Sequence, residues 1–408
     1  MTNETNDMTE VLRKERLYVI ILAAIQIAHI LDFVIMMPLG PRFMDVFNIS
    51  PVEFSTLVAA YTFSAGIAGF FAALYADHFD RRNFLLFNFV GFIVGTFMCA
   101  IAPNFASLLI ARVVAGAFGG ILNACVLSLV SDLIPLERRG RAMGVVMSAF
   151  SITSVIGVPL GLFISQMFDW HAPFYMICIL GVIFWIASYI YLPSVKVREV
   201  KMTMKENLKN FKSILIQRDY LQSFLFTSFL AFAVFMIVPF ISPFVVNNIG
   251  LAEKDLPYLY LVGGAFTIIT ARIIGKSCDR YGNYKVFLVS TIISVIPILL
   301  LTFLLPVPKY VAILVTSFFM LSGTARFIPA MTLISAVVKP KERGTFMSLE
   351  NAIRQLTTGV ASQVAGLIIG TTAAGQLTNF PTIGILATVT TLLAIYFARV
   401  LKTKYQLR

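Results

Sequence analysis

The stretch QIAHILDFVIMMPLGPR, Gln26 to Arg42, sits in a run that is almost wholly apolar from Leu17 to Leu39 yet carries Gln26, His29 and Asp32 in its interior. A run of that length spans a bilayer as a helix. An aspartate near the middle of such a helix disfavours insertion by roughly 2.5–3.5 kcal/mol, so it marks an ion pathway, a substrate contact or a buried pair. His29 and Asp32 are three residues apart and share one helix face. This helix alone also leaves a structural salt bridge or an interhelical hydrogen bond open.

Composition identifies the solvent. With 58% hydrophobic residues and 13% charged over 408 residues, and a mean hydropathy of +0.86, the charged fraction is about half that of a water-soluble domain. A polytopic membrane protein follows. The net charge of +12 does not indicate nucleic acid, because the basic residues occupy short gaps between apolar runs and no soluble domain gathers them. Met1 to Arg16 is polar and mixed in charge, and the apolar run behind it is too long for a signal-peptide core, so a cytoplasmic tail is expected. Cys99, Cys125, Cys178 and Cys278 fall within or at the ends of apolar segments without metal-ligand spacing. They read as packing residues, and no metal is expected.

Runs of about 20 apolar residues predict twelve spans, near 17–40, 52–76, 83–103, 105–134, 142–168, 173–193, 220–246, 257–278, 284–306, 310–338, 345–371 and 380–401. The division expected is a tail at 1–16, a six-helix bundle at 17–193, a linker at 194–219, a second bundle at 220–401 and a tail at 402–408. With the N-terminus inside, the loops and tails on that side hold 25 of the 32 Lys and Arg, and the opposite side holds only Arg42, Lys254 and Lys309. That bias predicts both termini in the cytoplasm. In the linker, Met204, Leu208, Phe211 and Leu215 recur at helical spacing, which predicts an amphipathic helix on the cytoplasmic leaflet with its lysines toward headgroups.

The halves repeat. Pro38 and Pro41 match Pro239 and Pro243, DHFDRR from Asp77 matches CDRYGNYK around Asp279, and PLERRGRAMG from Pro135 matches PKERGTFMS from Pro340, at offsets of 201 to 205 residues. Six helices duplicated in one orientation place a substrate site between the halves, near the midplane. The architecture expected is all-α, twelve transmembrane helices in two pseudo-symmetric six-helix bundles.

Over essentially its whole length the chain resembles the major facilitator superfamily. The loop signature of that family is matched by Gly275, Asp279, Arg280, Gly282 and Lys285, and less fully by Ala73, Asp77, His78, Asp80, Arg81 and Arg82. A carboxylate at a helix end beside basic residues can bridge to neighbouring helix ends and latch one conformation. Leu108, Arg112, Gly116 and Gly120 are similar to the fourth-helix motif, in which the resemblance links the arginine to proton transfer. GVPLG, Gly157 to Gly161 with Pro159, resembles the antiporter motif of exporting branches, where glycines permit close approach and the proline bends the helix. The first-helix stretch resembles the arabinose-efflux-permease-like members of the proton-coupled drug antiporters. The resemblance implies a proton-coupled exporter in the inner membrane, acting as a monomer. Its partners would be a small-molecule substrate, protons and the bilayer, with no cofactor beyond the proton gradient.

At 1.5 Å per residue Asp32 lies about 22 Å from the inner end of its helix and Arg112 about 10 Å from the outer end of its own, which are similar heights. Neither is duplicated: offsets of 202 and 204 reach Val234 and Thr316. A residue the scaffold required would be repeated with it, so Asp32 and Arg112 are read as functional; with the resemblance above, they and His29 are assigned to proton coupling. Gln26, Asn123, Arg326, Glu350, Asn351 and Arg354 are candidates for the substrate cavity. Glu350 and Arg354, spaced four apart, can also pair with each other, which would leave Arg326 the unmatched cation. No Ser-His-Asp arrangement or phosphate loop appears, which argues against an enzyme. An importer of an organic anion and a non-transporting receptor are the alternatives.

Overall fold

In lipid every backbone polar group must be bonded within its own segment, so each long apolar run becomes a helix. A computed structural model of the protein describes residues 2–75, 79–195, 204–339 and 342–405. The first bundle comprises α1 (Thr2–Ile35), α2 (Pro51–Tyr75), α3 (Arg81–Ala100), α4 (Phe105–Leu133), α5 (Leu136–Met167) and α6 (Ala172–Tyr191). The second comprises α7 (Arg218–Asn247), α8 (Leu256–Tyr281), α9 (Asn283–Thr302), α10 (Lys309–Val337), α11 (Arg343–Ile368) and α12 (Phe380–Tyr405). Among the described residues eleven helices are long and apolar enough to cross a membrane. The twelfth, α11, has 26 residues and is long enough at about 39 Å, but Glu350, Asn351, Arg354, Gln355 and Gln363 make it too polar to stand out.

The expected span to residue 371 overshoots. α11 stops at Ile368, and β1 (Gly370–Thr371) pairs antiparallel with β2 (Leu377–Thr378) around a turn in which Gly375 has φ 77°. The side chain of Asn248 locks this hairpin to the end of α7: its Nδ2 donates to Leu377 O at 2.8 Å, and Leu377 N donates to its Oδ1 at 2.9 Å.

Lipid tails are as apolar as leucine, so helix association depends on close packing between small residues. On α4, a Cβ added at Gly120 would lie 2.5 Å from Ala65 Cα, and one at Gly116 would lie 2.8 Å from Tyr61 Cα. The glycines therefore let α4 press directly on the α2 backbone.

Three seams join the bundles. α2 runs along α11, where Thr56 donates to Gln363 at 3.2 Å and Leu356 fills the face of Gly66. The broken ends of α1 and α7 meet where a Cβ at Gly40 would lie 3.0 Å from Pro243. Both breaks follow the duplicated prolines, which withhold backbone donors: α1 ends at Ile35 before a short helix at Gly40–Val46, and α7 passes through a 3-10 turn at Val238–Phe240. The third seam joins α5 and α8, and near its end Gln166 Nε2 donates to Glu253 O at 2.9 Å. The α1 and α7 break, the hairpin and Gln166 all lie at the end of the molecule away from the linker.

The linker helix, Met204–Ile216, differs from its expectation. Its apolar stripe docks on protein: Phe211 meets Phe70 of α2 edge-on at 4.5 Å and Ile214 is fully buried, while Leu208 is left exposed. An aromatic socket at the end of α2 competes for that stripe ahead of lipid.

Candidate functional site

Asp32 and Arg112 are both 0% exposed. Arg112 Nη1 donates to Asp32 Oδ2 at 2.9 Å and lies 3.4 Å from the Asp32 backbone oxygen, and Thr96 Oγ1 donates to Asp32 Oδ1 at 3.1 Å. The guanidinium rests on the ring of Tyr61, 4.3 Å from its centroid, and Tyr61 stacks on Phe33 at 5.3 Å. Four helices thus enclose one ion pair. Removing two charges from water costs several kcal/mol per ion, and the pair offsets this only through good geometry and additional bonds, which Thr96 and Tyr61 supply. Chemically, protonating the carboxyl would leave the guanidinium without its counter-charge, so proton binding and local rearrangement are linked.

His29 lies one turn toward the linker side on the same face of α1. It does not bond Asp32. Its ring stands edge-on to Phe92 at 6.1 Å, it is buried, and among the described residues neither nitrogen has a hydrogen-bond partner. One turn further, Gln26 Nε2 donates to Asn123 Oδ1 at 2.8 Å.

In the second bundle, Thr227 Oγ1 donates to Glu350 Oε1 at 2.8 Å, Arg354 Nε lies 3.5 Å from the same oxygen, and Arg354 Nη2 donates to Asn351 Oδ1 at 2.6 Å. The Arg354 side chain keeps 27% exposure although it lies mid-helix, and Asn351 and Asn123 are also partly exposed. Arg326 does not join this cluster. It is buried and donates from Nη1 to Thr391 Oγ1 at 2.8 Å, and among the described residues no carboxylate pairs with it.

Gly157, Pro159 and Gly161 lie where α5 is interrupted by a π-helical turn, Thr153–Gly157. Pro159 lacks the donor a regular turn would use, and a π turn is a common accommodation at functional positions. A Cβ at Gly157 would meet Leu31 at 3.1 Å and one at Gly161 would meet Ile35 at 2.8 Å, while a Cβ at Gly264 of α8 would meet Ser154 O at 2.8 Å. The turn is therefore wedged between α1 and the other bundle.

Of the loop-signature residues, Asp77 and His78 lie outside the described residues. Arg81 Nε pairs with Asp132 at 2.8 Å, Arg82 donates to Tyr189 O, and Asp80 caps α3 by accepting from Asn83 N at 2.9 Å. In the second copy Gly282 has φ 87°, which explains the glycine between α8 and α9. Asp279 and Arg280 are exposed, and space is open beside Gly275.

Tyr61, Thr96, Thr227 and Thr391 were not legible in the sequence. Each acts across a helix interface, and sequence spacing reports only neighbours on one helix. A groove of about 860 Å³ between Phe163, Tyr258 and Tyr310, with Lys254 and Lys309 at its rim, lies away from these charges at the end remote from the linker.

Known proteins carry the same plan. The Major Facilitator Superfamily profile matches residues 22–362, with a further match over 273–406. The uncharacterized MFS-type transporter YceJ of Bacillus subtilis (strain 168) is 25% identical over 363 residues, covering 86% of this chain and 89% of the relative. The quinolone resistance protein NorA of Staphylococcus aureus (strain COL) is 23% identical over 342 residues, covering 81% and 86%. The crystal structure of a D-xylose–proton symporter superposes with a TM-score of 0.74 at 15% identity, covering 92% of this chain and 96% of that one, and so shares the fold. Two six-helix bundles, the repeated loop signature and a profile match over most of the length converge: the chain belongs to the Major Facilitator Superfamily of multi-pass membrane transporters.

Proposed function

We propose that the protein exports a small organic compound in exchange for protons, by rocking its two bundles about a central cavity, in the inner membrane with both termini in the cytoplasm. The observation that carries this reading is the fully buried Asp32–Arg112 pair, which the repeat does not duplicate. Burial favours the protonated form of a carboxyl and an adjacent cation favours the ionised form. A movement that separates or rejoins the two groups therefore loads or unloads a proton, with no cofactor beyond the gradient. Gln26, Asn123, Asn351 and Arg354 are assigned to the cavity between the bundles, with Glu350 held by Thr227 and Arg354 behind them. Arg326 stands apart from that cavity. The π turn with Pro159 serves as hinge and seal, and the two loop signatures as latches. The likeness to a protein named for quinolone resistance supports the outward direction. The partly exposed Arg354 favours a substrate that carries a carboxylate.

The test is accumulation of a compound panel in inverted vesicles, including a quinolone, a sugar and an organic anion, with and without an imposed pH gradient. Gradient-dependent accumulation of one member is expected. Uptake only in the opposite direction would replace export by import, and no transport of any member would overturn the reading. Reporter fusions after Asn248 or Gln376 should read outside and those after Lys205 or at Arg408 inside; a reversed pattern would overturn the orientation.

A further inference from the structure

The linker helix Met204–Ile216 has two faces. Through one of them Phe211 and Ile214 join an apolar cluster with Phe224 of α7 and Phe346 of α11, and Phe70 and Leu74 of α2 pack against the same cluster. The helix therefore touches both bundles, at the end of the molecule where it enters α7. Its other face is uncovered. Leu208, Lys212 and Ile216 follow one another at intervals of four residues, so they line one side of the helix, with Lys209 beside them. Leu208 is 55% exposed and Ile216 67%, and both lysines are exposed.

Large apolar side chains sharing a stripe with lysines are the composition of a helix lying between headgroups and acyl chains. The position of the helix suits that role. Only Gln217 separates it from the membrane-spanning α7, and Phe70, which it grips, belongs to the last turns of α2. Exposed apolar side chains stand in both of these spans close by, Phe71 in α2 and Leu221 in α7. The described charges along the stripe and at its end, Lys209, Lys212 and Arg218, are all positive. A soluble acidic partner would have to be recruited, whereas α7 holds the stripe within reach of headgroups at high effective concentration.

We propose that this face is a seat for anionic phospholipid in the leaflet at the linker end, which the orientation proposed above makes the cytoplasmic one. Leu208 and Ile216 enter the acyl boundary, and Lys209 and Lys212 meet the lipid phosphates. Lipid charge thereby presses Phe211 and Ile214 against α2 and α11 and makes the linker helix a strap across that seam. This seat requires neither export nor proton coupling.

The test is spin-label EPR on the full chain in nanodiscs of phosphatidylcholine, alone or mixed with phosphatidylglycerol. Cys278, the partly exposed cysteine, is replaced by serine, and one nitroxide is placed at Leu208→Cys or, separately, at Ile216→Cys; melting checks that each variant folds. In the anionic discs collisions with oxygen should exceed those with a water-soluble nickel chelate. Lys209→Gln and Lys212→Gln should each shift the ratio of seated to unseated helix about fivefold toward water, and high salt should act in the same direction. Labels equally wet in both kinds of disc would overturn the seat and leave a soluble partner as the occupant. A seat insensitive to both lysines would overturn the role of charge. Glycerol phosphate added to neutral discs should leave the labels wet; if it seats them, the lysines take free phosphate and the lipid is overturned. A nitroxide pair at Phe71→Cys and Ile216→Cys should show a narrower distance distribution in anionic discs, and equal widths would overturn the strap. None of these measurements needs a substrate, so they fail or succeed apart from the export reading.

Discussion

In the first bundle Arg112 meets Asp32 at 2.9 Å with neither side chain exposed, whereas in the second Arg326 is 2% exposed and donates to a threonine hydroxyl. Both arginines lie on the fourth helix of their bundle, α4 and α10, which start at Phe105 and Lys309. They are nonetheless not counterparts, because the repeat offset carries Arg326 onto Leu122, ten residues beyond Arg112 and about 15 Å along the helix. The two halves share the helices, the prolines at the breaks and the loop signatures, but not the buried charges. A shared scaffold with unshared charges is what a machine needs if one half handles the ion and the other does not.

The largest effect expected from testing this contrast is in Asp32→Asn. The amide can still bond Thr96 and Arg112 but cannot cycle a proton, so gradient-driven accumulation should disappear while substrate remains bound. Concentrative transport with the wild-type dependence on pH would place the proton site elsewhere, with Glu350 next. Arg112→Ala comes second: it strands a buried carboxylate, which costs about 3–5 kcal/mol and should appear as a lower melting temperature in detergent. Arg112→Lys keeps the charge without the planar fork and should fall between alanine and wild type; a lysine variant as impaired as alanine would show that the fork, and not the charge, is what matters.

Pro159→Leu should insert and melt as wild type but slow the change between open faces about tenfold, because a residue with a backbone donor can regularise the π turn. Crosslinking across the α5–α8 seam measures this, and an unchanged rate would remove the hinge role. Arg326→Met is the smallest. It strands only the buried Thr391 hydroxyl, so stability should fall by about 1–3 kcal/mol, less than for Arg112→Ala. A loss as large as that of Arg112→Ala would reveal a partner for Arg326 in another conformation and end the contrast.

Span number, repeat and buried charges could be read from the chain because each leaves a one-dimensional mark: apolar length, a recurring offset, a charge in an apolar run. The pairing of Asp32 with Arg112 was approached through depth alone, since helix rise is fixed. What stayed hidden depends on which helix faces which. Tyr61 reads as one more aromatic in an apolar helix, and its place under Arg112 follows from the contact of α4 glycines with the α2 backbone. The linker helix was legible as amphipathic, but the surface that takes its stripe was not, because Phe70 lies 141 residues from Phe211.

The polarity of α11 bears on how the chain is made. With Glu350 and Arg354 near its middle, each disfavouring partition by roughly 2–3 kcal/mol, this segment is a poor client for lateral release from the translocon. Glu350 bonds Thr227 of α7, 123 residues earlier in the chain, which offers the polar face a protein partner. Biogenesis should therefore hold α11 back until α7 is in place to receive it. In a reporter cassette Arg343–Ile368 alone should pass through the translocon, and in the full chain it should remain. A chain that fails to present α7 would then leave α11 outside the bilayer, a topological error that membrane proteases can recognise.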